Sequence, residues 1–264
     1  MGNVGAVFLF EWKQSLTVPR MAWWLVLAGF PVFIIGLIRF TIEFGGGSME
    51  LTPREFWIWF LFALCPMLVS MLGTMLWVTP VISAELERRS WVYLSVRPNG
   101  GTAMLLGKYL AAVTWVIPPV LVGLAIAIPL SKASDGWQIW WGMTRLVCLS
   151  TPAFAAVYLV LGTVMPRRGL VLAVAYSLIF ELVICFVPAV ISKLTVHLHL
   201  MALVMRWCEL ELPPWMREGA GKLIGNSPPW EHVAILLMYP PILLAVSVAI
   251  LRAGEFSSAA ESDV

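Results

Sequence analysis

Long apolar runs recur along this chain and decide what it can fold into. A helix needs roughly 20 mainly apolar residues to cross a bilayer, and in hydrocarbon every backbone N–H and C=O must find its partner within the protein. Residues 22–40, 56–82, 104–130, 139–165, 170–192 and 232–251 meet that length. The expected fold is all-α: one transmembrane domain over 1–264 with six transmembrane helices. Composition agrees, since 60% of the 264 residues are hydrophobic and only 12% charged, against about 25% charged in a soluble domain. A net charge of +2 gives no electrostatic footprint for nucleic acid.

Six crossings put both termini on one side. Lys13, Arg20, Arg88, Arg89, Arg97, Lys108, Arg167, Arg168 and Arg252 fall on that side, while Arg39, Arg54 and Lys132 mark the two shorter opposite connections, with Arg145 just inside the fourth run. The longer connection, 193–231, adds Lys193, Arg206, Arg217 and Lys222 without reversing the balance. Both termini are therefore expected in the cytoplasm, and the chain in the cell (inner) membrane. Trp23 and Trp24, Trp57 and Trp59, and Trp137, Trp140 and Trp141 stand near the expected run ends, where indoles favour the headgroup level. The opening has no cleavable leader pattern. Residues 1–20 are expected as an interfacial helix with Val4, Val7, Phe8, Trp12 and Leu16 toward lipid, a stripe that Glu11 interrupts. Residues 253–264 are expected as a cytoplasmic tail.

Charge concentrates in one place, SAELERRSWVYLSVRPNGGTAMLLGKYL, from Ser83 to Leu110. Pro80 interrupts the second run, Ser83 can cap a new helix, and Glu85 and Glu87 precede Arg88 and Arg89 in the order that suits a helix dipole. Thr102 can cap the third run and Ser227 the sixth. The segment from Gly101 to Lys108 is not a phosphate-binding loop: five residues rather than four separate its glycines, and Tyr109 replaces the Ser/Thr that would hold magnesium.

Other chemistry is sparse. Cys65, Cys148, Cys185 and Cys208 show neither metal-ligand nor disulfide spacing. His197 and His199 would share a face on a strand but diverge on a helix, and the run from Leu194 to Met205 reads as helical. Glu181 lies midway along the fifth run, where a carboxylate must be neutral, paired or facing water. It can line a route through the membrane, or be hydrogen-bonded in a helix contact with a tyrosine. Within 193–231, two short external or re-entrant helices broken by Pro213-Pro214 are expected, where Met201, Met205, Trp207 and Trp215 can form an apolar plug or lie on the bilayer surface. Pro118-Pro119 and Pro240-Pro241 interrupt the third and sixth runs. No Ser/His/Asp or Cys/His set, metal set or dinucleotide loop presents itself, so the chain is not expected to be an enzyme or to hold a cofactor.

The run ISAELERRSWVYLSVRP at 82–98, followed by LGKYL at 106–110, resembles the permease subunits of ABC-2 type transporters. In that family I-S-x-E-x-E-x-G-T-x-x-x-L-x-x-R-P, then L-x-G-K, joins the second and third membrane helices. Glu85, Glu87, Leu94, Arg97, Pro98, Gly107 and Lys108 match, whereas Arg89-Ser90 stands where the family has Gly-Thr. The resemblance implies an ATPase-coupled exporter: a permease dimer, of two copies or of this chain with a similar one, docked on separate ATPase subunits that carry ATP and magnesium. It also implies a cytoplasmic coupling helix at 83–97, with Glu85, Glu87, Arg88, Arg89, Trp91 and Arg97 transmitting the movement, and an outer gate at Met201, Met205, Trp207 and Trp215. The alternatives are a membrane subunit that passes ATPase work to extracytoplasmic partners without transport, and an intramembrane enzyme built on Glu181 with His197 or His199.

Overall fold

The computed structural model describes residues 2–44, 54–87, 99–133, 135–184, 190–210 and 227–254. Among the described residues every regular element is helical. Helix α1 (Gly2–Ser15) is followed by α2 (Val18–Phe44). A rod over Arg54–Glu87 comprises α3 (Arg54–Phe62), a π-helical stretch (Ala63–Val69), α4 (Ser70–Val78) and α5 (Val81–Glu87). Next come α6 (Gly100–Ser131), α7 (Gly136–Val164) and α8 (Gly169–Tyr176), which passes into a second π-helical stretch (Ser177–Val183). A 3₁₀ turn (Val190–Leu194), α9 (Val196–Trp207) and α10 (Pro229–Ala253) complete the chain.

Five of these, α2, the rod, α6, α7 and α10, are long and apolar enough to cross a membrane, while Gly169–Val183 is shorter. They run up and down in sequence, so the bundle has a basal end, where the rod finishes at Glu87, and a distal end, where α6 gives way to α7. Lipid tails are as apolar as leucine, so close packing rather than water exclusion holds such helices together. The rod, α6 and α7 form the centre: Ile58, Leu61 and Cys65 pack with Val116, Val120 and Leu124 and with Leu146, Phe154 and Tyr158, all fully enclosed. At Gly162 of α7 a Cβ would stand 2.5 Å from the Thr79 carbonyl oxygen, so only glycine lets the two backbones approach this closely. By contrast α2 and α10 present mostly exposed apolar side chains, the surface expected to meet lipid.

Several sequence expectations change. Ser83 does not cap a helix: α5 already starts at Val81, after Pro80, and the Ser83 hydroxyl donates back to the Pro80 carbonyl at 3.2 Å. Thr102 lies inside α6, whose start is set by Asn99 in the left-handed conformation at φ 59°. For α10 the preset backbone of Pro228 and Pro229 replaces a side-chain cap from Ser227. Helices α6 and α10 run through Pro118-Pro119 and Pro240-Pro241 without a break.

The N-terminal helix also differs from expectation. Its Val7 and Trp12 turn toward α6 rather than lipid: Trp12 Nε1 donates to Thr114 Oγ1 at 2.8 Å and its ring meets Trp115 edge-on. Leu9 and Phe10 face outward instead. Trp57, expected at a lipid interface, is buried beneath the Arg39 guanidinium, 5.0 Å from the ring centroid.

Candidate functional site

Two polar arrangements stand out in this apolar bundle. At the basal end, the Lys108 ammonium forms an ion pair with Glu85 of α5 and lies 3.7 Å from Glu11 of α1. Glu11 breaks the apolar stripe of α1 because that position faces Lys108. Gly107, the neighbour of Lys108, gives α1 room: a Cβ there would collide with Val7 at 2.7 Å. One cation thus joins three elements that the sequence separates. Beside it, a cavity of about 230 Å³ is lined by Glu11, Lys108, Pro80, Trp77 and Arg20, whose guanidinium lies 5.3 Å from the Trp77 ring.

The opposite flank of α5 faces a second cavity of about 350 Å³, where Ser83, Leu86 and Glu87 meet Arg167 and Arg168 from the turn after α7. Helix α5 is therefore anchored inward through Glu85 and presents Glu87 outward among cations. Arg88, Arg89, Trp91 and Arg97, expected to act with these glutamates, lie outside the described residues.

The second arrangement lies inside the bundle. Helix α8 starts against Gly162 at the basal end, and its π-helical continuation stops at Val183. Helix α9 begins at depth and ends distally, where Cys208 packs on Gly142 and Trp207 lies beneath Arg145 at 5.8 Å. The stretch of α7 from Gly142 to Gly162 measures about 30 Å, so two short helices share a height that the other helices cover singly. Residues 196–207, expected in an external connection, are packed inside the bundle, with Val196, Leu200, Met201 and Leu203 fully enclosed.

A helix that starts among apolar side chains exposes orphan N–H groups, and these are satisfied by two devices. Thr195 accepts from the Leu198 N–H at 3.4 Å. Glu181 accepts from the N–H groups of His197 at 2.8 Å and Val196 at 3.3 Å, and from the Tyr176 hydroxyl at 2.9 Å. Of the two readings of Glu181, the geometry matches a hydrogen-bonded carboxylate at a helix contact; it also sits at the positive end of the α9 dipole.

The two histidines diverge, as the helical reading requires. The His197 ring meets Phe62 edge-on, and His199 meets His232 of α10 with their Nδ1 atoms 2.9 Å apart. His199 Nε2 lies 2.9 Å from the Lys193 carbonyl oxygen, which can only accept, so that nitrogen carries the proton. His199 Nδ1 then accepts from His232 Nδ1–H. The His199–His232 pair was not legible in the sequence, since 33 positions separate the partners.

Met201 is fully buried, while Met205 and Trp207 are half-buried at the distal end; Trp215 lies outside the described residues. Among the described residues no group of three His, Cys, Asp or Glu side chains is placed to hold a metal ion. No family model, curated protein or solved structure matches the chain.

Proposed function

We propose that this chain is the membrane subunit of an ABC-2 type transporter, an exporter driven by separate ATPase chains that dock on its cytoplasmic side. The resemblance at 82–98 and 106–110 motivates the class. The observation that carries the reading is the Lys108 knot. Glu85 lies one helical turn before residues 88–98, and its carboxylate is tied through Lys108 to α6 and, more loosely, to Glu11 of α1. A push on the exposed end of α5 would then move the rod, α6 and α1 together, whereas an untethered loop would absorb it. The flank carrying Glu87, Arg167 and Arg168 supplies charge for a docking partner.

In this reading the chain crosses the inner membrane six times with both termini in the cytoplasm. The fifth crossing is built from two half-length pieces, 169–183 and 196–207, meeting at Glu181. Broken helices of this kind are tolerated where their ends are satisfied inside protein, and they allow one half to move against the other. A second permease copy or a similar chain completes the route, and ATP with magnesium belongs to the ATPase partner.

The test is to reconstitute the chain with its ATPase and to measure stimulated ATP hydrolysis and cargo movement in wild type and in an Arg88→Glu, Arg89→Glu double variant. Loss of both activities in a correctly inserted variant is expected. Full coupled activity in that variant would remove the coupling role from this segment, and stimulation without any solute moving would favour the mechanical alternative.

A further inference from the structure

We propose that the basal cavity between α1, α2, the rod and α6 binds the headgroup of a phosphatidylethanolamine, its phosphate on Arg20 and its primary ammonium on Glu11. This site depends on the cavity and its charges, whether or not an ATPase drives the chain and whichever leaflet the basal end meets. Both charged heads are held beside the cavity by contacts with other residues that line it. The Arg20 guanidinium lies 5.3 Å from the Trp77 ring centroid, and Glu11 Oε1 lies 3.7 Å from Lys108 Nζ. Arg20 Nη1 also donates to the Gln14 carbonyl at 3.1 Å and to Ser15 Oγ at 3.4 Å. Ser15 in turn donates to the Glu11 backbone carbonyl at 2.7 Å, so the guanidinium is fixed one turn of α1 from Glu11. The short ethanolamine link between phosphate and ammonium suits that reach.

The two charges are only partly used by the protein. Among the described residues no carboxylate lies within ion-pair distance of Arg20, and its Nε and Nη2 meet no acceptor. The Glu11 carboxylate accepts no hydrogen bond among those residues, because the Lys108 ammonium is drawn to Glu85. With Lys108 neutralised by Glu85, one guanidinium and one carboxylate remain at the same cavity, which is the complement of a zwitterion. Phosphatidylglycerol would bring the anion alone and set it near Glu11. A choline headgroup has no N–H to donate to a carboxylate.

The depth is that of a headgroup. The rod has 34 residues and measures about 51 Å, against a hydrocarbon core of about 30 Å, so a centred rod projects about 10 Å at each end. Along it, Ala84 stands about 5 Å from the basal end, Pro80 about 10 Å and Leu76 about 16 Å. Arg20 lies only about 3 Å into α2. The charged part of the cavity is therefore outside the hydrocarbon. Leu76, which lines the cavity and is 44% exposed, leads from it into the hydrocarbon, where the acyl chains would lie. At about 230 Å³ the cavity is below the usual range for a drug-sized ligand and matches a headgroup rather than a whole lipid.

The experiment uses the full chain, delipidated in mild detergent and titrated with the dioleoyl form of phosphatidylethanolamine, phosphatidylcholine or phosphatidylglycerol, or with soluble O-phosphoethanolamine. Bound ligand is counted by native mass spectrometry. Wild type should retain one phosphatidylethanolamine about tenfold more tightly than either other lipid, the size of one hydrogen bond to a charged group. Glu11→Ala should bring the preference over phosphatidylcholine to parity, with Glu11→Gln between the two. Arg20→Gln should weaken retention of all three lipids about fivefold, the size of one arginine–headgroup attraction. Ala84→Leu, at a partly exposed position, should fill the cavity and lower retention of all three. Equal retention of phosphatidylethanolamine and phosphatidylcholine by wild type would overturn the proposal, as would a full preference that survives Glu11→Ala or retention that Ala84→Leu leaves unchanged. Tighter binding of phosphatidylglycerol would overturn it in favour of a simple basic site, and displacement of the lipid by O-phosphoethanolamine in favour of a soluble ligand.

Discussion

Replacing Lys108 with methionine keeps most of the side chain's length and removes its charge, which isolates what the basal knot contributes. Lys108 and Glu85 each expose about 11% of their side chains, so their pairing takes place largely out of water. Removing one partner of a buried pair typically costs about 3–5 kcal/mol, because the remaining charge is left uncompensated. The small residual exposure lets water reach the stranded Glu85 and places the expected loss near the lower figure, about 3 kcal/mol. Glu11→Gln should cost less than about 1 kcal/mol, since its 3.7 Å contact with Lys108 is longer and wetter. The assay is equilibrium unfolding in mixed micelles, followed by tryptophan fluorescence, with a double-mutant cycle between Lys108→Met and Glu85→Gln. The double variant should recover part of the loss, giving a coupling of roughly 1–3 kcal/mol. If Lys108→Met unfolds within about 0.5 kcal/mol of wild type, or if the two changes add without coupling, the knot does not hold α5 to α6 and the force path has no anchor.

Gly162→Val should prevent recovery of monodisperse protein, because the new side chain would enter the Thr79 backbone; Gly29→Ala, where nothing lies within 4 Å, should leave yield and unfolding unchanged. Glu181→Ala strands the donors of Val196, His197 and Tyr176, and should destabilise by about 3 kcal/mol at typical penalties for unsatisfied buried groups. Glu181→Gln, which still accepts, should cost about 1 kcal/mol, read in the same unfolding assay. Burial pushes the Cys208 thiol up to about 11, against the opposing pull of the Arg54 charge. The thiolate is the reactive form and grows only as pH approaches that value, so maleimide should label Cys208 poorly at pH 7–8 in folded protein and readily after denaturation.

Apolar length carried most of the architecture. Runs at 22–40, 56–82, 104–130, 139–165 and 232–251 each contain the core of a long helix, because a crossing helix needs only length and hydropathy. The run at 170–192 behaves differently. Hydropathy counts apolar residues without asking where their backbone bonds go, so it does not show that the run turns π-helical at Ser177 or that a separate helix starts at Val196 with its first N–H groups on Glu181. Glu181 was the visible sign, since a carboxylate in such a run must meet donors, and here those donors are the first N–H groups of α9. Glu11 was a similar sign within the stripe of α1. Its partner Lys108 stood out in the sequence only as a motif match and a basic residue at the start of an apolar run, and its pairing with Glu85, 23 positions away, exists only in three dimensions. Helix starts were misassigned because proline and a left-handed asparagine set them, where a search for Ser and Thr caps looks elsewhere.

The central claim is that the end of α5 faces the cytoplasm and is covered by another protein. It is tested by a single cysteine in place of Glu87, in a background lacking the natural cysteines, probed with a membrane-impermeant maleimide on sealed vesicles of each orientation. Labelling from the cytoplasmic face alone, suppressed when the ATPase chain is bound, is the predicted result. Labelling from the opposite face, or labelling that the ATPase leaves unchanged, would contradict it.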